Sequence, residues 1–299
     1  MKPMIKYRGG KSKELPQIIP HIPYYSGRYV EPFFGGGALY FLLEPKRAII
    51  NDINIPLINF YLGVRDDFQN LKEELTLIET TYRSNREAYE SLKQKQPTER
   101  VEDKNEKLYY LLRDMFNGKI NKQYSDALLY YFINKTAYSG MIRYNANGDF
   151  NVPYGRYKYL NTQKVSRNHS ELLKRSEILN TDYKDVFNLC TADDFVFLDP
   201  PYDCCFSDYG NAEYKEGFNE DSHRRLAEDF RQLPCKCLMV IGKTPLTEEL
   251  YGEFIVDEYE KSYAVNIRNR FKAEANHIVV VNYKRSGCKP KLFSISNTF

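Results

Sequence analysis

Arg28-Tyr29-Val30-Glu31-Pro32-Phe33-Phe34-Gly35-Gly36-Gly37 is the stretch that decides the fold. A short apolar run ends in an acid, a proline stops it, and glycines turn the chain into Ala38 to Leu43, which reads as a helix. A second run, Arg47-Ala48-Ile49-Ile50-Asn51-Asp52, again ends in an acid. The two runs predict a strand–turn–helix–strand unit of an open α/β sheet, where ligands sit beyond the carboxyl ends of the strands. Further along, Phe195-Val196-Phe197-Leu198, Cys237-Leu238-Met239-Val240-Ile241 and Ile278-Val279-Val280-Val281 are predicted strands. Residues 222–233 read as a helix with Leu226, Phe230 and Leu233 on one face. Strands alternating with helices predict an α/β protein with a Rossmann-like sheet.

Residues 57–152 break that alternation, with Pro97 as their one proline. Leu108, Leu111, Leu112, Met115 and Phe116 follow helical spacing, and Leu71, Leu75, Ile78 and Tyr82 outline a second helix. A helical insertion is expected here. It ends at residues 141–152, where Asn147-Gly148 predicts a hairpin turn.

Composition removes several classes. The chain has 299 residues and a net charge of +3, so it is no polycation. A hydrophobic fraction of 42% is too high for disorder. The apolar runs fall far short of the ~20 residues of a membrane span, and Met1-Lys2-Pro3-Met4 lacks a secretory pattern. Six cysteines, at 190, 204, 205, 235, 237 and 288, form no CxxC pair, and there are four histidines. No metal site is expected, reduced thiols are, and the cytoplasm is the expected address. The 26 Tyr and 18 Phe are suited both to core packing and to stacking on bases.

The glycine turn lets backbone come close to a ligand, and Asp52, at the end of the second strand, is placed to accept hydrogen bonds from ribose hydroxyls. The plain alternative is a tight turn and an ordinary strand-end acid. A dinucleotide fingerprint is a poor match, because Tyr40 stands where a third glycine or alanine belongs. Glu31 would repel a pyrophosphate but suits the ammonium of a methionine moiety, so S-adenosylmethionine fits better than NAD.

Asp199-Pro200-Pro201-Tyr202 follows the strand at 195–198 directly. Two prolines cannot continue a strand, so the turn presents a carboxylate, a carbonyl and an aromatic ring together. The exocyclic amine of adenine is a poor nucleophile because its lone pair is delocalised. Asp199 and the Pro200 carbonyl can each accept one of its N–H groups and stabilise positive charge as it develops. Tyr202 can stack on a base flipped from the duplex. A competing nucleophile, Pro234-Cys235, falls between a predicted helix and a strand, away from any strand mouth.

In this order the motifs resemble the Dam-type, GATC-related DNA adenine-N6 methyltransferases. Lys6-Tyr7-Arg8-Gly9-Gly10-Lys11 resembles the family's Lys-Trp-Ala-Gly-Gly-Lys, residues 30–37 its Glu-Pro-Phe-x-Gly-x-Gly motif, and Asn51-Asp52-Ile53-Asn54 its ribose motif. Residues 199–202 resemble its catalytic motif, and residues 134–157 its recognition segment. The resemblance implies a methyltransferase sheet formed by residues 1–56 and 165–299. A helical target-recognition domain, 57–164, would carry a DNA-binding hairpin at 138–157. It implies cofactor contacts from Tyr7, Lys11, Glu31, Phe33, Gly35, Gly37, Asp52, Ile53 and Asp199. Asp182 and Tyr183, after the strand-like Ile178-Leu179, resemble the segment lining the cofactor's adenine. Lys6, Met141, Arg143 and Pro153 match positions that read bases, and Tyr138 matches an aromatic inserted beside the flipped adenine. Asn151, Arg156 and Tyr157 lie in the same DNA-facing hairpin. The chain departs at Tyr7-Arg8 for Trp-Ala, at Ser139 for the usual Asn and at Met141 for the frequent Leu.

Charge supports the same surface. Between Lys135 and Arg167 six Lys and Arg face the single acid Asp149, a net +5 in a chain whose total is +3. Tyr138, Tyr144, Tyr154, Tyr157 and Tyr159 thread this segment, as phosphate contact and base stacking would require. The plain alternative packs these tyrosines on the helices. Arg268, Arg270 and Lys272, in a loop between two late strands, are a second candidate phosphate contact or a solvated loop. The expected function is methyl transfer from S-adenosylmethionine to N6 of adenine in a short duplex site, GATC favoured. The alternatives are adenine in RNA, or a catalytically silent DNA-binding module. Double-stranded DNA is the expected partner, with possible pairing to a restriction endonuclease and no obligate protein partner.

Overall fold

The computed structural model describes residues 1–202, 218–262 and 274–284. Arg268, Arg270, Lys272, Cys204, Cys205 and Cys288 lie outside them. Among the described residues, the strands β1 (Tyr29–Glu31), β2 (Ala48–Asn51), β3 (Ser176–Leu179), β4 (Phe195–Leu198), β5 (Lys236–Gly242), β6 (Ile255–Ser262) and β7 (Glu274–Val281) form one sheet. Its order is β3-β2-β1-β4-β5-β7-β6. β1 to β5 run parallel, and β7 pairs antiparallel with both β5 and β6. The order reverses between β1 and β4, so the two acid-ending motifs of the sequence open side by side at the switch point.

The helices are α1 (Leu15–Ile18), α2 (Ala38–Leu43), α3 (Ile55–Asp66), α4 (Phe68–Lys95), α5 (Lys104–Phe116) and α6 (Asp126–Thr136), then α7 (Arg167–Leu173), α8 (Tyr183–Asn188), α9 (Glu220–Gln232) and α10 (Pro245–Tyr251). Asn54, Asp103 and Ser125 cap α3, α5 and α6 with their side chains, which fixes where each begins. No helix among the described residues is long and apolar enough to cross a membrane.

Strand alternation divides the core. Tyr29, Ile50, Phe195, Phe197, Leu238 and Val279 face one apolar cluster, which continues without break through α2 to α7. Val30, Ile49, Val196, Leu198, Met239 and Val280 face the other, closed by α8, α9 and α10. A sheet covered on both faces needs the continuous apolar runs that marked its strands.

In α4 the buried residues are Leu71, Leu75, Ile78 and Tyr82, as the spacing predicts. In α5 the buried face is Tyr109, Leu112 and Met115, whereas Leu111 is 46% exposed. The face turns because the Tyr109 hydroxyl donates to the Val152 carbonyl at 2.7 Å, which satisfies the polar tip of a large ring in the core. The expected hairpin closes on two isolated bridges, Ala137–Tyr154 and Tyr144–Phe150, rather than a continuous ladder. Its turn is built on the Asn145 side chain, which accepts from Asn147 N at 3.0 Å and Asp149 N at 2.9 Å, with Gly148 at φ +81°.

Candidate active site

A cleft opens at the switch point, lined by Tyr7, Lys11, Glu31, Phe33, Gly35, Gly37, Asp52, Ile53 and Asp199 to Tyr202. The sheet thereby gathers four sequence motifs that are far apart in the chain. Contacts within the protein account for the glycines, Tyr7 at Gly35 and Phe34 at Gly37. A Cβ on Gly35, whose φ is +46°, would lie 2.7 Å from the Tyr7 ring. One on Gly37, φ +63°, would lie 2.5 Å from Phe34. The turn after β1 thus locks onto the N-terminal segment.

Glu31 is 2% exposed and accepts from the Tyr29 hydroxyl at 2.7 Å. Burial pushes its pKa well up; the Tyr29 bond opposes this, and the charges of Asp199 and Asp52 add to it. Among the described residues, Glu31 forms no ion pair. Asp52 takes Gly35 N at 2.8 Å on one oxygen and Asn54 N at 3.0 Å on the other.

Asp199 ends β4 and is held by Lys11, whose Nζ lies 2.5 Å from Oδ1 and 2.9 Å from the Gly9 carbonyl. Lys11 is 2% exposed, and its ammonium also lies 5.0 Å from the centre of the Tyr202 ring. Burial raises the Asp199 pKa and the Lys11 charge opposes the rise. The Tyr202 hydroxyl reaches back to Oδ1 at 3.4 Å.

Asp182 and Tyr183 do not line this cleft. Tyr183 stands behind Phe33, ring centres 5.4 Å apart, with its hydroxyl on Asp229 at 3.0 Å. Asp182 caps α8 and pairs with Arg225 at 2.8 Å.

Residues 137–157 cross the helices, tied to α4 through Tyr82–Tyr154 and to α5 through Tyr109–Val152. Tyr138 is 43% exposed, and Ser139 and Arg156 take left-handed backbone at φ +56° and +55°. Lys6, Ser139, Arg143, Pro153 and Arg156 are exposed, while Met141, Asn151 and Tyr157 are half-buried. Lys6 Nζ sits 3.7 Å above the Tyr157 ring, and Arg143 Nε donates to Asn151 Oδ1 at 2.9 Å. Arg156 lies 3.5 Å from Glu106.

Two expectations on this surface are corrected. Lys135, counted among its charges, is 4% exposed and donates to the Met4 carbonyl at 2.7 Å. Burial, with help from Lys164 and Lys6, lowers its pKa to about 7. Tyr154, counted among stacking rings, is 6% exposed and pairs with the Tyr82 hydroxyl at 2.9 Å. It holds the segment to α4.

Several supporting residues act through contacts distant in sequence. Asn51 donates to the Pro32 carbonyl at 2.9 Å and the Thr181 carbonyl at 3.0 Å, tying three strand-end loops together. Asn134 accepts from Lys6 N at 3.0 Å and donates to Lys6 O at 2.7 Å. Tyr61 donates to the Gly35 carbonyl at 2.9 Å. Asn51 stands in the Asn51-Asp52-Ile53-Asn54 motif and Asn134 at the start of the 134–157 segment, whereas nothing in the sequence marks Tyr61.

Residues 7–267 match the family described as D12 class N6 adenine-specific DNA methyltransferase. The chain is 33% identical over 290 residues to the Type II methyltransferase M.CviBI of Paramecium bursaria Chlorella virus NC1A, covering 95% of this chain and 100% of that one. It is 38% identical over 267 residues to the Type II methyltransferase M.MjaIII of Methanocaldococcus jannaschii, covering 85% and 87%. To the Retron Ec67 DNA adenine methylase of Escherichia coli it is 27% identical over 292 residues, covering 95% and 93%. The chain belongs to the D12 class of N6 adenine-specific DNA methyltransferases.

Proposed function

We propose that this adenine-specific DNA methyltransferase takes its methyl group from S-adenosylmethionine and delivers it to an adenine flipped out of a short duplex site, GATC favoured. The observation that carries the reading is Asp199, placed by β4 beside the glycine turn of β1 and ion-paired to Lys11. The donor fits the residues present: a buried acid, Glu31, faces the cleft with a neutral hydroxyl as its hydrogen-bond partner, and Asp52 stands at the next strand end. Bound there, S-adenosylmethionine supplies an electrophilic methyl group. Glu31 would hold its ammonium and Asp52 its ribose. Lys11 occupies Oδ1 of Asp199, so Oδ2 is the oxygen offered to the amine. Asp199 and the Pro200 carbonyl take one N–H each, Tyr202 stacks on the base, and the N6 lone pair is turned to the methyl carbon. N6 would gain the methyl group as the methyl–sulfur bond breaks and its electron pair returns to sulfur, leaving a neutral thioether, and would shed one proton, which Asp199 is positioned to receive.

Residues 57–164 serve target recognition in this reading, with the sheet halves serving transfer. Relatives are named Type II methyltransferases, which keeps pairing with a restriction endonuclease within the proposal. The test is tritiated methyl transfer to unmethylated DNA with the product mapped by sequencing. N6-methyladenine confined to one short motif is expected, and label on matched RNA alone would overturn the substrate.

Donor binding should release a proton. The free protein holds Glu31 protonated up to an unusually high pH, while ammonium binding needs the carboxylate. Affinity therefore climbs as pH rises through the raised Glu31 range and levels off above it. Calorimetry in two buffers of different ionisation enthalpy reads the released proton. Glu31→Gln should remove this dependence and weaken binding about 10- to 150-fold, the worth of a charged hydrogen bond.

The buried and exposed lysines separate in salt. Lys158, exposed and 3.8 Å from Glu90, should contribute about 0.9 to the slope of log affinity against log salt. Lys158→Ala removes that much and weakens all sequences alike. Lys135→Met leaves the slope unchanged, and equal losses for both variants would contradict the burial argument.

A further inference from the structure

Behind the turn at 199–202 lies a buried ion cluster that the reaction described above leaves unused. Its centre is Glu14, 5% exposed. On Oε2 it accepts from His277 Nδ1 at 2.7 Å and from the Tyr259 hydroxyl at 2.8 Å, and Lys261 Nζ lies 2.6 Å from Oε1. Burial alone would raise its pKa, but His277, Lys11 and Lys261 together hold it at about 2. A carboxylate this deeply buried is retained only when partners compensate it, and removing one partner is costly.

The cluster reaches the active site from two sides. Glu14 closes the main-chain turn that begins at Lys11, its N–H donating to the Lys11 carbonyl at 2.8 Å, its carboxylate feels the Lys11 charge, and the Lys11 ammonium holds Asp199. His277, fully buried, sets its ring edge-on to Tyr202, centres 5.0 Å apart at 82°. The Glu14 carboxylate therefore joins the N-terminal segment, whose Lys11 holds Asp199, to the β6–β7 pair, whose His277 meets Tyr202.

We infer that Glu14 is a positioning residue for methyl transfer: its cluster with Lys261 and His277 fixes Lys11 and Tyr202, and so sets where Asp199 and Tyr202 meet the base. The inference rests on the assignment of Asp199 made above. A purely structural role predicts a lower melting temperature with unchanged turnover per folded molecule. A positioning role predicts a loss in the chemical step, because a displacement of about 1 Å at a reacting group costs up to about 100-fold.

The experiment is single-turnover methylation of an oligonucleotide duplex, normalised to folded protein. Glu14→Gln should lower the rate constant about 10- to 100-fold, with KM for DNA and donor within about threefold. Glu14→Asp, which restores the charge, should recover part of the loss. Because Glu14→Gln also removes the ion pair to half-buried Lys261, Glu14→Gln/Lys261→Met is made beside it; it should regain melting temperature and still transfer slowly. His277→Asn, which leaves both charges in place and cuts the link to Tyr202, should fall in the same direction. A wild-type rate in the double variant, or a loss carried by KM, overturns the inference. Asp199→Asn separates the two failures. If it is inactive while the double variant is normal, Glu14 alone is misassigned; if it is fully active, the reading of the site fails and the inference with it.

Discussion

Asp199→Asn should lower the rate of methyl transfer about 100- to 1000-fold, the loss found when one preorganised charge-stabilising partner is removed, about 2.7–4 kcal/mol. The substitution keeps the shape of the side chain and removes the charge that developing N6–H donors would meet. It also strips Lys11 of its counter-ion, and Lys11 is 2% exposed, so part of the damage will be to stability. Asp199→Asn/Lys11→Met removes both charges and separates the two effects. It should melt nearer the wild type and remain inactive. DNA affinity should change little in either variant if the proposed recognition surface carries it, and a gel shift under the kinetic conditions checks this. Turnover within tenfold of wild type would mean that Asp199 does not accept the amine.

Some of this architecture is legible locally and some is not. Ala38–Leu43 begins directly after the glycine turn and Phe195–Leu198 stops before Asp199-Pro200, as the glycines and prolines of the sequence indicate. The stripe Leu71, Leu75, Ile78, Tyr82 was equally readable, because four apolar groups at helical spacing leave one face to bury. The stripe on α5 was misphased at Leu111 because Tyr109 finds an acceptor, the Val152 carbonyl, that lies 43 residues away. Lys135 and Tyr154 failed in the same way. A polar residue reads as outward until a distant group satisfies it, and here those groups are the Met4 carbonyl and Tyr82. The site divides along the same line. The strand-end residues that the motifs point to, Glu31, Asp52 and Asp199, meet in one cleft, whereas Tyr61, Glu14 and His277 are held by long-range contacts that no spacing announces.

Arg143→Ala should relax sequence choice rather than abolish methylation. Arg143 is exposed, and its Nε is held at 2.9 Å by Asn151 Oδ1, the two residues standing opposite one another where Asn151 N donates to the Arg143 carbonyl at 3.1 Å. That hold orients the guanidinium plane. The two terminal nitrogens are the ones that make a bidentate contact to guanine O6 and N7, which discriminates by about 1–3 kcal/mol per base. Arg143→Ala should therefore raise methylation at one substituted position of the site relative to the correct site by about 5- to 150-fold, while the other positions keep their preference. Arg143→Lys should not restore selectivity, because an ammonium has no planar fork. Asn151→Ala should give a weaker version of the same change at the same position, since it frees the guanidinium without deleting it. A panel of duplexes, each with one base pair substituted, reads all three variants against Lys158→Ala, whose loss should be uniform across the panel. If Arg143→Ala also weakens every duplex equally, the side chain meets phosphate, and the base-reading role passes to Lys6, held by Asn134 at the neighbouring edge.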